Sequence, residues 1–132
     1  MIVLFLLCGA MGLVCTGISS STSNEILGRW EGALKDSRQA PVKINLAVLP
    51  SEVELHFGAP RNCTAYAEYV TLEAGAHVYL LAGNSDGSMQ DWCANLRNGT
   101  MDLRKNGTGT LSFHIASPKK TVSEKTILHK KG

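Results

Sequence analysis

The stretch WCANLRNGTMDLRKNGTGTLSFHI, residues 92–115, holds two Asn-Gly pairs, Asn98-Gly99 and Asn106-Gly107, between β-prone runs. Asn-Gly favours a hairpin because both central residues of a type I′ turn need positive φ, which Gly adopts freely and Asn tolerates. The spacing predicts a three-strand meander of residues 92–97, 100–104 and 110–115.

Outward from this segment, the chain is punctuated every eight to twelve residues by Gly, Pro, Asn or Asp. Val42, Ile44, Leu46 and Val48 alternate with Lys43, Asn45 and Ala47, the period of a half-buried strand. After a Pro50-Ser51 turn the alternation resumes with Val53, Leu55 and Phe57 against Glu52, Glu54 and His56, and Gly58, Pro60 and Asn62 end it. Residues 64–72 carry Tyr66 and Tyr69 in a β-prone setting, although their Ala and Glu content leaves a short helix open. Residues 76–82 read as a further strand and 83–87 as a loop. Residues 26–34 and 121–128 complete the set as first and last strands. The expected architecture is all-β: a small antiparallel barrel or sandwich of seven to eight short strands.

Residues 1–18 contain no charged side chain, and the run is short and Gly-rich for a membrane span of roughly 20 strongly apolar residues. It reads as the apolar region of a signal segment, followed by the polar tract 19–23. The small residues at the pairs Cys15/Gly17 and Gly17/Ser19 suit cleavage near Ile18 or Ser20. The organisation expected is a cleaved signal at 1–19, a polar linker at 20–25 and a single β domain at 26–132. Secretion or export to the periplasm follows. An uncleaved or lipidated N-terminal segment, through Cys8 or Cys15, is the membrane-anchored alternative. No basic residue precedes the apolar core, and Leu7 and Val14 are poor residues to precede a lipidated cysteine.

Of four cysteines, two fall in the signal, so the domain keeps Cys63 and Cys93. In an oxidising compartment that pair is expected to close a disulfide. All 13 basic and 11 acidic residues lie beyond the signal, a balance of only +2, whereas a nucleic-acid binder shows a basic excess on one face. Lys119, Lys120, Lys125, Lys130 and Lys131 form the one local excess and read as a solvated last strand and tail.

The first strand contains Gly28-Arg29-Trp30. This resembles the opening G-x-W strand of the calycin-type barrels, the lipocalins and avidins. In that superfamily the Trp closes one end of the barrel, and the small residue before it permits close packing there. The resemblance implies an eight-stranded up-and-down barrel that binds a ligand or a protein.

Nucleophilic catalysis needs a Ser, Cys or Thr held beside a base and an orienting acid, and no G-x-S-x-G elbow occurs. The histidines, His56, His77, His114 and His129, are scattered singly, and neither cysteine stands in a C-x-x-C or with an H-x-x-x-H. Glu52/Glu54 reads as a solvated strand face and Asp86 as a turn former. No catalytic residue, metal site or cofactor is therefore expected. The triplets Asn62-Cys-Thr64, Asn98-Gly-Thr100 and Asn106-Gly-Thr108 are acceptors for N-glycosylation in a eukaryotic secretory pathway. The function expected is that of an exported binding domain occupying a protein partner, as an inhibitor or immunity-type protein does. Trp92, Asn84, Asp86 and Gln90 are the candidate contacts, because aromatics beside a polar loop often anchor interfaces. The alternatives are a calycin-like carrier of a small apolar ligand and an envelope-anchored structural protein.

Overall fold

A computed structural model of the protein describes residues 24–35, 41–84 and 92–131. The signal segment 1–19, most of the linker 20–25, Asp86 and Gln90 lie outside the described residues. Eight strands close into one antiparallel up-and-down barrel. They are β1 (Gly28–Lys35), β2 (Pro41–Val48), β3 (Glu52–Phe57), β4 (Cys63–Glu73), β5 (Ala76–Asn84), β6 (Thr100–Lys105), β7 (Thr110–Ala116) and β8 (Ser123–Lys130). Each strand pairs with its neighbour in sequence, and Trp30↔Lys130 and Glu31↔His129 join β1 to β8. Closure removes the free edges that invite aggregation. The choice between barrel and sandwich is thereby decided.

The period-two pattern explains which face turns inward. Val42, Ile44, Leu46 and Val48 of β2, and Val53, Leu55 and Phe57 of β3, are all buried. Ala65 and Ala67 of β4, Tyr79 and Leu81 of β5, Met101 and Leu103 of β6, and Leu111, Phe113 and Ile115 of β7 complete the packing with Leu128. An eight-stranded barrel is just wide enough for side chains to fill it. Each such buried aliphatic or aromatic side chain contributes roughly 1.5–3 kcal/mol relative to exposure. Residues 64–72 are strand and not helix, because Ala65 and Ala67 face the interior opposite Leu55 and Val53. Register shifts bend the long β4–β5 hairpin, one of them leaving Val70 out of the ladder.

The meander expected from residues 92–115 holds only in part. Asn106-Gly107 does lie in the β6–β7 connection, where Gly107 and Gly109 adopt φ of 97° and 77° and Thr110 Oγ1 donates to Asn106 O. Residues 92–97, however, are not a strand. Trp92–Leu96 is a 3-10 helix, and Asn98-Gly99 is no hairpin turn. Residues three apart eclipse on such a helix, so Cys93 and Leu96 point together into the core. Asn98, at φ 68°, ends the helix. The chain then joins β5 directly: Asn98 N–H donates to Leu81 O and Leu81 N–H to Gly99 O, both at 2.9 Å. Gly99 is required for space, since a Cβ there would lie 2.2 Å from Ala116 O.

Candidate functional site

Of the residues expected to make contacts, Trp92 and Asn84 fall at the barrel end where β4 and β8 begin. Cys63 and Cys93 are bonded, with Cα atoms 6.1 Å apart, which pins the Trp92–Leu96 helix across that end. Trp92 is half-buried, its ring edge against Phe57 at a centroid distance of 4.9 Å. Over its face lies the Arg61 guanidinium, 3.7 Å from the ring centroid. Arg61 in turn donates two hydrogen bonds to the Glu124 carboxylate, at 2.9 and 2.7 Å. Trp92 is thus one layer of a Phe57–Trp92–Arg61–Glu124 stack. Asn84 closes β5 nearby in the chain, and Asp86 and Gln90 lie outside the described residues.

Trp30 occupies the opposite end and is 1 % exposed. Its Nε1–H donates to Ile26 O at 3.0 Å, drawing the 3-10 turn Asn24–Ile26 over the barrel mouth. Lys130, from the last strand, sets its ammonium 4.9 Å from the Trp30 ring centroid and donates to Leu27 O at 2.8 Å. A side chain at Gly28, whose φ is 119°, would meet that ammonium at 2.9 Å. Glycine therefore allows Lys130 to cross the indole.

His77 also faces inward here, 4 % exposed, beside the Tyr69 ring and with its Nδ1 unpartnered among the described residues. Burial pushes its pKa down, opposed in part by the charge of Glu25, and burial likewise raises that of the Tyr69 phenol. An unfolded histidine, at about 6.5, then binds its proton more readily than the folded one. The contribution of His77 to stability is present above that value and is lost as pH falls toward the lowered folded value. Urea unfolding at about pH 7.5 and about pH 5.5 should show a loss for the wild type that shrinks in His77→Gln. An equal loss in both proteins would count against this assignment.

On the outer wall, a mostly apolar groove of 330 Å³ runs over β6–β8, lined by Asp102, Ser112, His114, Lys125, Thr126 and Ile127 among others. Beside it, His114 Nε2 is hydrogen-bonded to Ser123 Oγ at 3.2 Å, and Nδ1 lies 3.7 Å from Asp102 Oδ2. The residue types and order match an acid–base–nucleophile line, which sequence reasoning missed because three different strands supply them. The His114 and Asp102 side chains are 40 % and 42 % exposed, so water reaches the line freely. Electrostatic catalysis depends on a dry, preorganised setting. The arrangement therefore reads as a surface network. No group of three His, Cys, Asp or Glu side chains is placed to hold a metal among the described residues.

The β3–β5 wall is different in kind. Glu52 and Glu54 on β3 and Glu68 and Glu73 on β4 stand outward, and no Lys or Arg occurs in β3, β4 or β5. Glu52 and Glu68 are direct cross-strand partners, a like-charge pairing that disfavours folding. Among these carboxylates Val70 and Leu80 are 53 % and 42 % exposed, and the Tyr66 hydroxyl donates to Glu54 at 3.4 Å, whereas Leu72, the cross-strand partner of the inward-facing His77, stands on the other face at the hairpin end. The basic side chains Arg104, Lys105, Lys125 and Lys130 stand on β6 and β8. Those strands also carry Asp102 and Glu124, so the small net charge conceals one wall that has acidic residues and no basic ones.

Comparison with known proteins finds no family, no curated protein and no solved structure that matches this chain.

Proposed function

We propose that the protein is an exported binding domain that occupies a protein partner through the outer β3–β5 wall, in the manner of an inhibitor. The observation that carries this reading is the pair of exposed apolar residues Val70 and Leu80 on a wall that also carries Glu52, Glu54, Glu68 and Glu73. Apolar centres with a polar rim are the anatomy of protein interfaces, and rim charges of one sign select a partner of the other. The partner implied has a basic surface around an apolar contact. The Cys63–Cys93 bridge fits an oxidising compartment, in keeping with export. A rigid closed barrel also lowers the ordering cost of association.

Kinship with the calycin-type barrels forms part of this proposal. It is supported by Trp30 closing one end of an eight-stranded up-and-down barrel, with Gly28 leaving room for Lys130. The carrier role is not favoured, because the described inner face is packed with its own side chains and both ends carry a 3-10 segment.

Affinity capture from the native secretions tests the reading, with wild type compared against Val70→Ser/Leu80→Ser and Glu54→Lys/Glu68→Lys. A stoichiometric basic protein should be retained by wild type and bound at least about tenfold more weakly by each variant, a loss of about 1.4 kcal/mol or more. A Lys125→Glu control on the far wall should bind as wild type does. Capture that is indifferent to the β3–β5 variants would remove this wall as the interface.

A further inference from the structure

The three Asn-x-Thr triplets are absorbed neither by the fold nor by the proposed interface, and the structure differentiates them. An acceptor triplet needs its Asn amide and its hydroxyl accessible on a surface turn. All three asparagines are exposed and lie in connections between strands. Asn106-Gly107-Thr108 lies wholly within the β6–β7 connection, and Asn106 and Thr108 are both exposed. Asn98 stands at the end of the 3-10 helix, and its Thr100 is exposed at the start of β6. Asn62 is placed otherwise. Its middle residue, Cys63, is buried in the disulfide, and Thr64 is held in β4 with its hydroxyl 3.0 Å from His56 Nδ1.

We propose that Asn106 and Asn98 carry N-linked glycans, and that Asn62 is modified only on chains reached before Cys63 closes its bridge. The proposal rests on the export reading, in a secretory pathway of the eukaryotic type. The donor is a polyprenyl-diphosphate-linked oligosaccharide. A bond forms between Asn Nδ2 and sugar C1, and the C1–O bond to phosphate breaks. The polyprenyl diphosphate leaves with the electron pair, and the amide nitrogen gives up a proton to solvent. Asn106 stands off the wall formed by Glu52, Glu54, Tyr66, Glu68 and Leu80, in the β6–β7 connection, whereas Asn98 borders it, since Thr100 is the cross-strand partner of Leu80.

The test is expression of the full chain in a eukaryotic secretory host, once with its own leader and once with a replacement leader. Intact mass is read before and after treatment with peptide N-glycosidase. Secreted wild type should carry two glycans as its main species, and Asn98→Gln and Asn106→Gln should each remove one. Asn62→Gln should leave the main species unchanged. Cys93→Ser, read in the cell-retained fraction as well as the medium, should raise occupancy at Asn62. Secreted protein of unmodified mass would overturn the proposal, as would a bare Asn106 beside a fully occupied Asn62. Secretion that requires the replacement leader would count against the export reading alone, because the glycan count is still read from that chain.

Discussion

Reduction of the Cys63–Cys93 bridge is expected to produce one of the largest losses of stability available to this fold. The cysteines are 30 positions apart, so the bridge closes a loop of 31 residues. In the chain-entropy model such a loop contributes roughly 3–4 kcal/mol by restricting the unfolded state. A second effect acts on the folded side. Cys93 anchors a five-residue 3-10 helix, and so short a helix holds its place through packing, not through its own hydrogen bonds. Freed from Cys63, it would rely on Cys93, Leu96 and the Trp92 stack to stay over the barrel end. Thermal unfolding with and without a reductant, and of the double variant Cys63→Ala/Cys93→Ala, should show a fall in Tm on the order of 15 °C. A fall under about 5 °C would mean that packing alone seats the helix.

That helix also marks where the sequence misled. Period-two alternation located β2 and β3 within a residue or two, because one face of each meets the core and the other meets water. Turn chemistry found the β6–β7 hairpin at Asn106-Gly107, although positive φ falls on Gly107 and Gly109 and not on Asn106, so the connection is longer than the two-residue type I′ turn expected. At residues 92–97 the strand reading failed, since no alternation runs through Cys93, Ala94, Asn95 and Leu96. The spacing of Cys93 and Leu96, three apart and both buried, was the available signal, and it points to a 3-10 helix. Asn98-Gly99 looked like a hairpin because its chemistry is genuine: Asn98 does take positive φ. What the pair serves, a helix end and a close approach to Ala116, depends on partners far along the chain. Burial of His77 was missed although His77 falls in period-two phase with Tyr79 and Leu81, which face the core, and it packs beside the Tyr69 ring. The acidic wall was legible only as scattered glutamates. Register brought Glu52 against Glu68, on three adjacent strands that carry no Lys or Arg.

Arg61→Ala is the second substitution with a large expected effect, and no local pattern announces it. Arg61 and Glu124 are 63 residues apart, joined only because β4 and β8 both begin at this end of the barrel. The Arg61 side chain is 6 % exposed and that of Glu124 20 %, so the pair is shielded from solvent on one side more than the other. Removing one member of a fully buried pair costs roughly 3–5 kcal/mol, chiefly by leaving the other charge unpartnered. Partial hydration of Glu124 reduces that. Loss of the guanidinium from the face of Trp92 adds on the order of 1 kcal/mol. The expected total is about 2–3 kcal/mol, a fall in Tm on the order of 10 °C. Glu124→Gln keeps the shape and an acceptor, and should cost about 1 kcal/mol. Arg61→Lys retains the charge but not the planar fork that spans carboxylate and indole together, so it should recover less than half of the loss. In Arg61→Ala/Glu124→Gln the unpartnered carboxylate is gone, and the double variant should be less destabilised than the sum of the single ones. Additive costs would show that Arg61 acts through Trp92 alone, and the ion pair would then have no part in holding the helix across the barrel end.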